Sequence, residues 1–203
     1  MRVVIAGATS ALGIATAAAL TEAGHEVVAV GRSAERLEQV QAAERVAADL
    51  ADFAAVQQLA EQLGAVDGLV HLVGGWRGGG GLAGQSDEDF DWLETNVLTT
   101  LRNTTRAFAA AIGASAAGRI AIVSTTGLEK PTAGNASYVA LKAAAETWLQ
   151  AVGHELRETP AEVHITRVKA LVTEQERIDS PERKFPGYSD VTDVAAELAG
   201  LFA

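Results

Sequence analysis

Short apolar runs rich in β-branched residues alternate with longer, Ala-rich stretches along the whole chain. The predicted strands are Arg2–Ala6, Glu26–Val30, Arg45–Ala48, Leu69–Val73, Arg119–Ser124 and Val163–Val168. The predicted helices are Ile14–Ala23, Ala34–Gln41, Phe53–Leu63, a bent helix from Ser86 to Ile112, one from Asn135 to Arg157, and Val191–Phe202. Buried strands that alternate with helices are typical of parallel βαβ units. The pattern therefore predicts a single α/β domain, residues 1–203, with a doubly wound parallel sheet of about six strands and helices on both faces.

The composition is that of an ordinary globular protein, and it disfavours several function classes. Of the 203 residues, 48% are hydrophobic and 21% are charged, and the net charge of −10 argues against a nucleic-acid partner. No apolar run approaches the roughly 20 residues of a membrane span. The absence of cysteine excludes disulfides and thiolate metal sites. We therefore expect a cytoplasmic protein without a leader peptide and with no metal, nucleic-acid or membrane partner.

A turn of small residues, Gly7–Gly13, joins the first predicted strand to the first helix. Small side chains let the backbone approach a pyrophosphate, whose charge is stabilised by free N–H groups and by the helix dipole. The alternative is simple strand-to-helix packing, but the position after the first strand of an α/β chain favours a Rossmann-like dinucleotide site. The candidate cofactor-binding residues in this turn are Gly7, Thr9, Ser10, Ala11, Leu12 and Gly13.

The residues after the second and third strands predict which dinucleotide is bound. The second strand ends without the acidic residue that would accept hydrogen bonds from a ribose 2′-hydroxyl. Arg32 stands there instead, and its guanidinium suits a 2′-phosphate, which favours NADP(H) over NAD(H). The alternative is a solvated arginine at a helix start. Asp49 and Leu50 follow the third strand and are candidate adenine contacts, although Asp49 could also simply face solvent.

The candidate chemistry is carried by a tyrosine and a lysine on the long helix near residue 140. Tyr138 and Lys142 are four residues apart, which places both side chains on one helix face. A nearby ammonium favours the phenolate, so we expect a lowered tyrosine pKa and a better proton donor to a carbonyl oxygen. Ser124 and Thr125 lie at the end of the preceding strand, where a hydroxyl can hydrogen-bond the same oxygen. Such a pair occurs often by chance, but its coincidence with the glycine turn favours catalysis.

These motifs together resemble the short-chain dehydrogenase/reductase family over nearly the whole chain. The sequence YVALK, from Tyr138 to Lys142, is similar to its Y-x-x-x-K motif. The resemblance implies that Lys142 also binds the nicotinamide ribose and that Asn96 helps hold a proton-relaying water. Family spacing counted from Tyr138 selects Thr125 as the catalytic hydroxyl, whereas counting from Gly127 selects Ser124.

Several positions depart from the family pattern. Ala11 replaces the middle glycine of the cofactor turn. His71-Leu72-Val73-Gly74 stands where many members have Asn-Asn-Ala-Gly, so we expect His71 to be structural and Gly74 to lie at the cofactor. Val168-Lys169-Ala170-Leu171 lacks the usual Pro-Gly. The loop Leu72–Gly79 resembles the branch that contains dihydropteridine reductase, which keeps a pteridine reductase-like enzyme among the alternatives.

The resemblance implies an NADP(H)-dependent oxidoreductase that interconverts a small carbonyl compound and its alcohol, with NAD(H) as the less favoured cofactor. The competing hypothesis is a non-catalytic dinucleotide-binding sensor or scaffold of the same fold. Family members commonly associate through the long helices, so we expect a homodimer or homotetramer. Prolines and charges predict that Thr173–Tyr188 is a loop, mobile until cofactor and substrate bind beneath it.

Overall fold

A six-stranded parallel sheet forms the centre of the computed structural model, which describes residues 1–203. Its strands are β1 (Arg2–Ala6), β2 (Glu26–Gly31), β3 (Glu44–Ala47), β4 (Gly68–His71), β5 (Arg119–Thr125) and β6 (Glu162–Val168). They lie in the order β3-β2-β1-β4-β5-β6, and every neighbouring pair is parallel. The order reverses between β1 and β4, which is where ligands bind in open α/β sheets. The predicted doubly wound sheet is confirmed.

Helices cover both faces of this sheet and bury the central strands β1, β2, β4 and β5. They are α1 (Ala11–Glu22), α2 (Ala34–Leu37), α3 (Phe53–Leu63), α4 (Asp87–Leu93), α5 (Thr100–Ala114), α6 (Ala136–Glu155), α7 (Glu174–Asp179) and α8 (Val191–Gly200). Val3 and Ile5 of β1 pack in a core cluster with α1 and α8, whereas Val4 and Ala6 pack with α3, α5 and α6. None of the helices combines the length and hydrophobicity that a membrane span requires.

The second predicted helix is shorter than expected. It ends at Leu37 instead of Gln41. Arg45 on the neighbouring strand explains the early end, because its Nε donates to the carbonyl oxygens of both Leu37 and Val40. These bonds satisfy acceptors at the helix terminus that would otherwise need a further turn.

The bend predicted between Ser86 and Ile112 is a π-helical segment, Glu94–Thr99, between α4 and α5. Asn96 lies inside it. The Asn96 side-chain amide donates to Trp92 O at 2.8 Å, and the Thr100 hydroxyl donates to Asn96 O at 2.8 Å. Side chains that bond the backbone in this way support a local change of helical pitch, and such segments are frequent at functional sites.

The segment Thr173–Tyr188 is not entirely a loop, which corrects the sequence-based expectation. It contains α7, whose N-terminus is closed by a reciprocal capping box between Thr173 and Glu176. The short strands β7 (Leu171–Val172) and β8 (Ser189–Asp190) pair on either side of it. No residue of α7 is buried, so the segment lies outside the core, as the sequence predicts. We call residues 171–190 the covering segment.

Candidate active site

Two cavities meet at the carboxyl edge of the sheet, at the switch point between β1 and β4. The larger encloses about 900 Å³ and the smaller about 210 Å³, and both are lined by Ser10, Leu72, Val73 and Gly74. Of the predicted site residues, the larger cavity also contains Ala11, Leu12, Ser124, Thr125, Tyr138 and Lys142. The smaller cavity also contains Gly7, Thr9, Arg32, Asp49, Leu50 and Asn96. The fold therefore brings every predicted site residue except Gly13 to one continuous surface.

The turn before α1 presents free N–H groups toward the junction of the cavities. Ser10 caps α1, and its hydroxyl accepts from Gly13 N at 3.0 Å. The N–H groups of Ala11 and Leu12 have no protein acceptor, so the helix N-terminus is open to an anion. Gly7 and Gly13 are sterically required, because an added Cβ would lie 2.9 Å from Leu72 C and 2.5 Å from Gly7 O, respectively. The turn thus retains the two glycines that close packing requires. Ala11 stands at a position where this turn does not require glycine.

Two arginines lie at the far end of the smaller cavity. Arg32, predicted from the sequence, is exposed there and can reach a ligand. Arg36 lines the same cavity and donates to Thr9 O at 2.8 Å. The sequence pattern did not indicate Arg36, although its place in the short helix capped by Ser33, directly after Arg32, could have done so.

The loop after β3 forms another wall of the smaller cavity, and a buried amide positions it. Asp49 Oδ1 accepts from Ala51 N at 3.0 Å, while Leu50 is buried beside it. Asn103 of α5 donates to both Leu50 O and Ala51 O at 3.0 Å. Asn103 is a second residue that sequence analysis missed, since a single asparagine within a helix carries no recognisable pattern.

Tyr138 and Lys142 lie on one face of α6, as predicted, with the Lys142 Nζ 5.9 Å from the centre of the tyrosine ring. Burial raises the pKa of Tyr138, and the Thr125 hydroxyl lowers it by a smaller amount. The net direction is opposite to the expected lowering, because desolvation of the phenolate outweighs other effects. Tyr138 is therefore protonated at neutral pH and can donate a proton.

Lys142 is anchored at the wall of the larger cavity and retains its charge. Its Nζ donates to Val123 O at 2.8 Å. Burial lowers its pKa to about 8, while the carboxylate of Glu146 opposes this effect. Because the value remains above 7, most of the protein carries a Lys142 ammonium at neutral pH.

Ser124 and Thr125 have different surroundings, which separates the two candidates for the catalytic hydroxyl. Thr125 Oγ1 accepts from Gly127 N at 3.0 Å and lies close enough to Tyr138 to lower its pKa. Ser124 Oγ is buried without a hydrogen bond, next to the carboxylate of Glu146. The geometry therefore places Thr125, and not Ser124, beside the tyrosine hydroxyl.

His71 lies behind the site in a fully buried hydrogen-bond network. Its Nε2 is 3.2 Å from the Thr100 hydroxyl and its Nδ1 is 3.1 Å from the Thr104 hydroxyl. Burial and the nearby Lys142 charge lower the pKa of His71 to about 3. The imidazole is thus neutral and connects the end of β4 to α5, the arrangement of a structural residue.

Gln85 joins the glycine-rich loop to the start of the helix that carries Tyr138. Its amide nitrogen donates to Gly79 O at 3.1 Å and to Gly134 O at 3.4 Å, and its Oε1 accepts from Ser137 N at 3.2 Å. Sequence analysis assigned Gln85 no role. The larger cavity is also lined by Thr173 and Glu176, which belong to the segment predicted to cover the site, and by four residues that no sequence pattern indicated: Trp76, Glu129, Lys130 and Asn135.

Comparison with known proteins identifies the class to which this fold and site belong. The family model described as short chain dehydrogenase matches residues 1–182. The chain belongs to the short-chain dehydrogenase/reductase family and has its Rossmann-like fold.

Named proteins similar to this chain match it at modest identity. One is the 2,3-dihydro-2,3-dihydroxybenzoate dehydrogenase of Bacillus subtilis, 29% identical over 166 residues; the match covers 76% of this chain but only 63% of that enzyme. A short-chain dehydrogenase/reductase from Vibrio parahaemolyticus is 25% identical, with a TM-score of 0.83 over 98% of this chain and 89% of that one. An NADPH-bound short chain oxidoreductase from Pseudomonas aeruginosa PAO1 is 20% identical and shares the fold, with a TM-score of 0.85 over 98% and 88% of the two chains.

Proposed function

We propose that this chain, as one domain of residues 1–203, interconverts a small carbonyl compound and its alcohol with NADP(H) as cofactor. One observation carries the proposal: two arginines line the smaller of two joined cavities, an open helix N-terminus lies where the cavities meet, and Tyr138, Thr125 and Lys142 line the larger one. The length of the surface and its charge distribution suit a dinucleotide whose reactive ring lies beside Tyr138. A non-catalytic dinucleotide sensor would need no tyrosine and no hydroxyl in the larger cavity.

The chain's residues fit each part of the cofactor. The N–H groups of Ala11 and Leu12 would hold the pyrophosphate, and Asp49 and Leu50 would flank the adenine. Arg32 and Arg36 would hold the 2′-phosphate, since a guanidinium binds phosphate oxygens in a fork. Lys142 would bind the nicotinamide ribose. When bound, the cofactor supplies or accepts the hydride.

Proton transfer would be the task of Tyr138. Its protonated phenol donates to the substrate oxygen in reduction and accepts the proton back in oxidation. Thr125 donates a second hydrogen bond that positions the oxygen, and the Lys142 ammonium stabilises the phenolate left behind. Asn96, which lines the smaller cavity, would hold a water that returns a proton to Lys142.

A panel of carbonyl compounds tests this function directly. NADPH consumption would be followed by absorbance with aldehydes, ketones and quinonoid dihydropterin, and NADP⁺ reduction with a cyclic diol of the kind that the Bacillus subtilis relative is named for. Turnover of one compound class supports the proposal. Tight NADPH binding without any turnover would favour the sensor.

Cofactor preference gives the first variant prediction. Arg32→Ala should weaken NADPH binding by roughly 10-fold or more, the loss of a charge-assisted hydrogen bond, and leave NADH binding nearly unchanged. Intrinsic tryptophan fluorescence measures the binding of both cofactors, because Trp76 and Trp92 line the two cavities. Arg157→Ala, at an exposed arginine outside both cavities, is the matched control. Equal losses for both cofactors, or a preference of the unmodified protein for NADH, would refute the 2′-phosphate role.

We also propose a cytoplasmic homodimer or homotetramer. Ala140 is exposed on α6 and Ala144 is half-buried there, so this helix retains a face of small side chains. Trp148, the third position considered for the interface, donates from Nε1 to Thr105 Oγ1 at 2.9 Å and packs against the core of its own chain. Sedimentation equilibrium would distinguish a 21.0 kDa monomer from its multiples.

A further inference from the structure

A buried acidic residue lies one helical turn beyond Lys142 and has no place in the mechanism described above. Glu146 follows Lys142 by four residues on α6, a spacing that puts their side chains side by side. It is only 5% exposed. A carboxylate so deeply buried is costly unless it is paired or has a function.

Glu146 is held in place by a residue of the sheet. Arg167 of β6 binds it with two hydrogen bonds, one of them from Nε at 2.9 Å. These bonds lower the pKa of Glu146, and the Ser124 hydroxyl adds to the lowering although it forms no hydrogen bond of normal geometry. The carboxylate is therefore ionised and its orientation is fixed at neutral pH.

The other ionisable groups around Lys142 supply no opposing charge. Tyr138 of α6 has a raised pKa and is neutral, and His71 of β4 has a pKa of about 3 and is neutral as well. Arg167 lies beyond Glu146, and its own cationic form is favoured by Glu146 and by Glu129 after β5. Glu146 is thus the anion that acts on the Lys142 ammonium.

We propose that Glu146, fixed by Arg167 and buried one turn from Lys142, is a positioning residue that keeps the lysine charged at the wall of the larger cavity. The buried carboxylate held one turn from Lys142 is a feature of the fold itself, whereas its effect on turnover rests on the proposed function. An uncharged lysine could neither stabilise a Tyr138 phenolate nor orient a ribose hydroxyl as an ammonium does.

Titration of Lys142 tests this role without substrate or cofactor. The lysines are Lys130, Lys142, Lys169 and Lys184, so ¹³Cε-labelled lysine gives a simple NMR spectrum in which Lys142→Arg identifies the resonance. Glu146→Gln should lower the pKa of Lys142 by about one pH unit, the effect of a nearby opposite charge. Glu155→Gln, the same change at an exposed position of α6, should leave the pKa of Lys142 unchanged. Glu146→Asp retains a carboxylate, so the pKa of Lys142 should stay close to that of the unmodified protein.

The outcomes are distinct. A Lys142 pKa that is equal in Glu146→Gln and the unmodified protein would overturn the proposal, even if activity fell. If Glu146→Gln does not fold, Arg167→Met provides the test. This change removes a cation and retains the carboxylate, so the pKa of Lys142 should rise slightly. A fall in that pKa would refute the role of Glu146. Failure of the carbonyl panel would refute the proposed function and leave this titration unaffected.

Discussion

The two sides of the larger cavity are built on different physical principles. On the side of β5 and α6, Thr125 and Glu146 are each only 5% exposed, and Lys142 is anchored to a strand carbonyl. On the opposite side, the covering segment has no buried residue in its helix and depends on an ion pair, Arg177–Asp190, whose side chains are 40% and 42% exposed. Burial sets the pKa values and geometry that proton transfer requires, whereas an exposed cover opens at low cost to admit a substrate. The comparison predicts large effects on one side and small ones on the other.

The largest effect is expected at Lys142, where function and stability should change in opposite directions. Lys142→Met removes the charge beside Tyr138 and should lower turnover by more than about 10²-fold. The same variant should be more stable at pH 7. The pKa falls from 10.5 to about 8 on folding, so the ammonium is destabilised in the fold by about 3 kcal/mol.

Urea denaturation across the alkaline range measures this cost. The unfolded chain binds more protons between pH 8 and pH 10.5, so the unmodified protein should become more stable as pH rises through this window. Lys142→Met should lack that rise, and Lys184→Met, at an exposed lysine, should retain it. A Lys142→Met protein less stable than the unmodified one would show that the buried ammonium stabilises the fold.

The low pKa of His71 predicts that the folded protein loses stability in acid. Its pKa is about 3 in the fold against an ordinary 6.5, so the unfolded chain binds the extra proton as pH falls below 6.5. Stability should therefore decrease by about 3 kcal/mol between pH 6.5 and pH 4 on account of this residue. His71→Gln should remove that component, measured by denaturation at both pH values, whereas His154→Gln at an exposed position should not. Identical acid sensitivity in His71→Gln would exclude a buried neutral imidazole.

The smallest effect is expected in the covering segment. Arg177→Ala breaks an exposed ion pair worth at most about 1 kcal/mol, so KM should rise by no more than about fivefold and kcat should hardly change. Hydrogen exchange should accelerate in residues 173–188 alone. Arg157→Ala, which removes an exposed arginine elsewhere, serves as the control. A fall in kcat comparable to that of Lys142→Met would mean that the cover takes part in the chemistry.

The sequence predicted the fold well because strands and helices follow local periodicity. The sheet and the shared helix face of Tyr138 and Lys142 agree with the structure, and the helix between Ser86 and Ile112 is interrupted by a π-helical segment. The prediction failed where a residue distant in sequence determines the local structure. Arg45, which ends α2, acts from the next strand along the chain.

The same limit applies to the candidate site. The sequence alone left Ser124 and Thr125 open, because which hydroxyl lies near Tyr138 depends on the geometry at the end of β5. It also gave the wrong direction for the tyrosine pKa, since burial of the side chain is a property of the folded chain. Gln85 and Asn103 carry no local pattern, and their contacts span 49 to 53 residues of sequence.

The central claim is that Tyr138 transfers the proton, and the chain offers a matched pair of variants to test it because it contains only two tyrosines. Tyr138→Phe keeps the ring and its packing but removes the acidic proton, whereas Tyr188→Phe makes the same change in the covering segment. With a carbonyl compound that the protein reduces, Tyr138→Phe should lower kcat by about 10²-fold or more with NADPH binding and folding nearly unchanged. Tyr188→Phe should remain close to fully active. Near-full activity in Tyr138→Phe would contradict the mechanism.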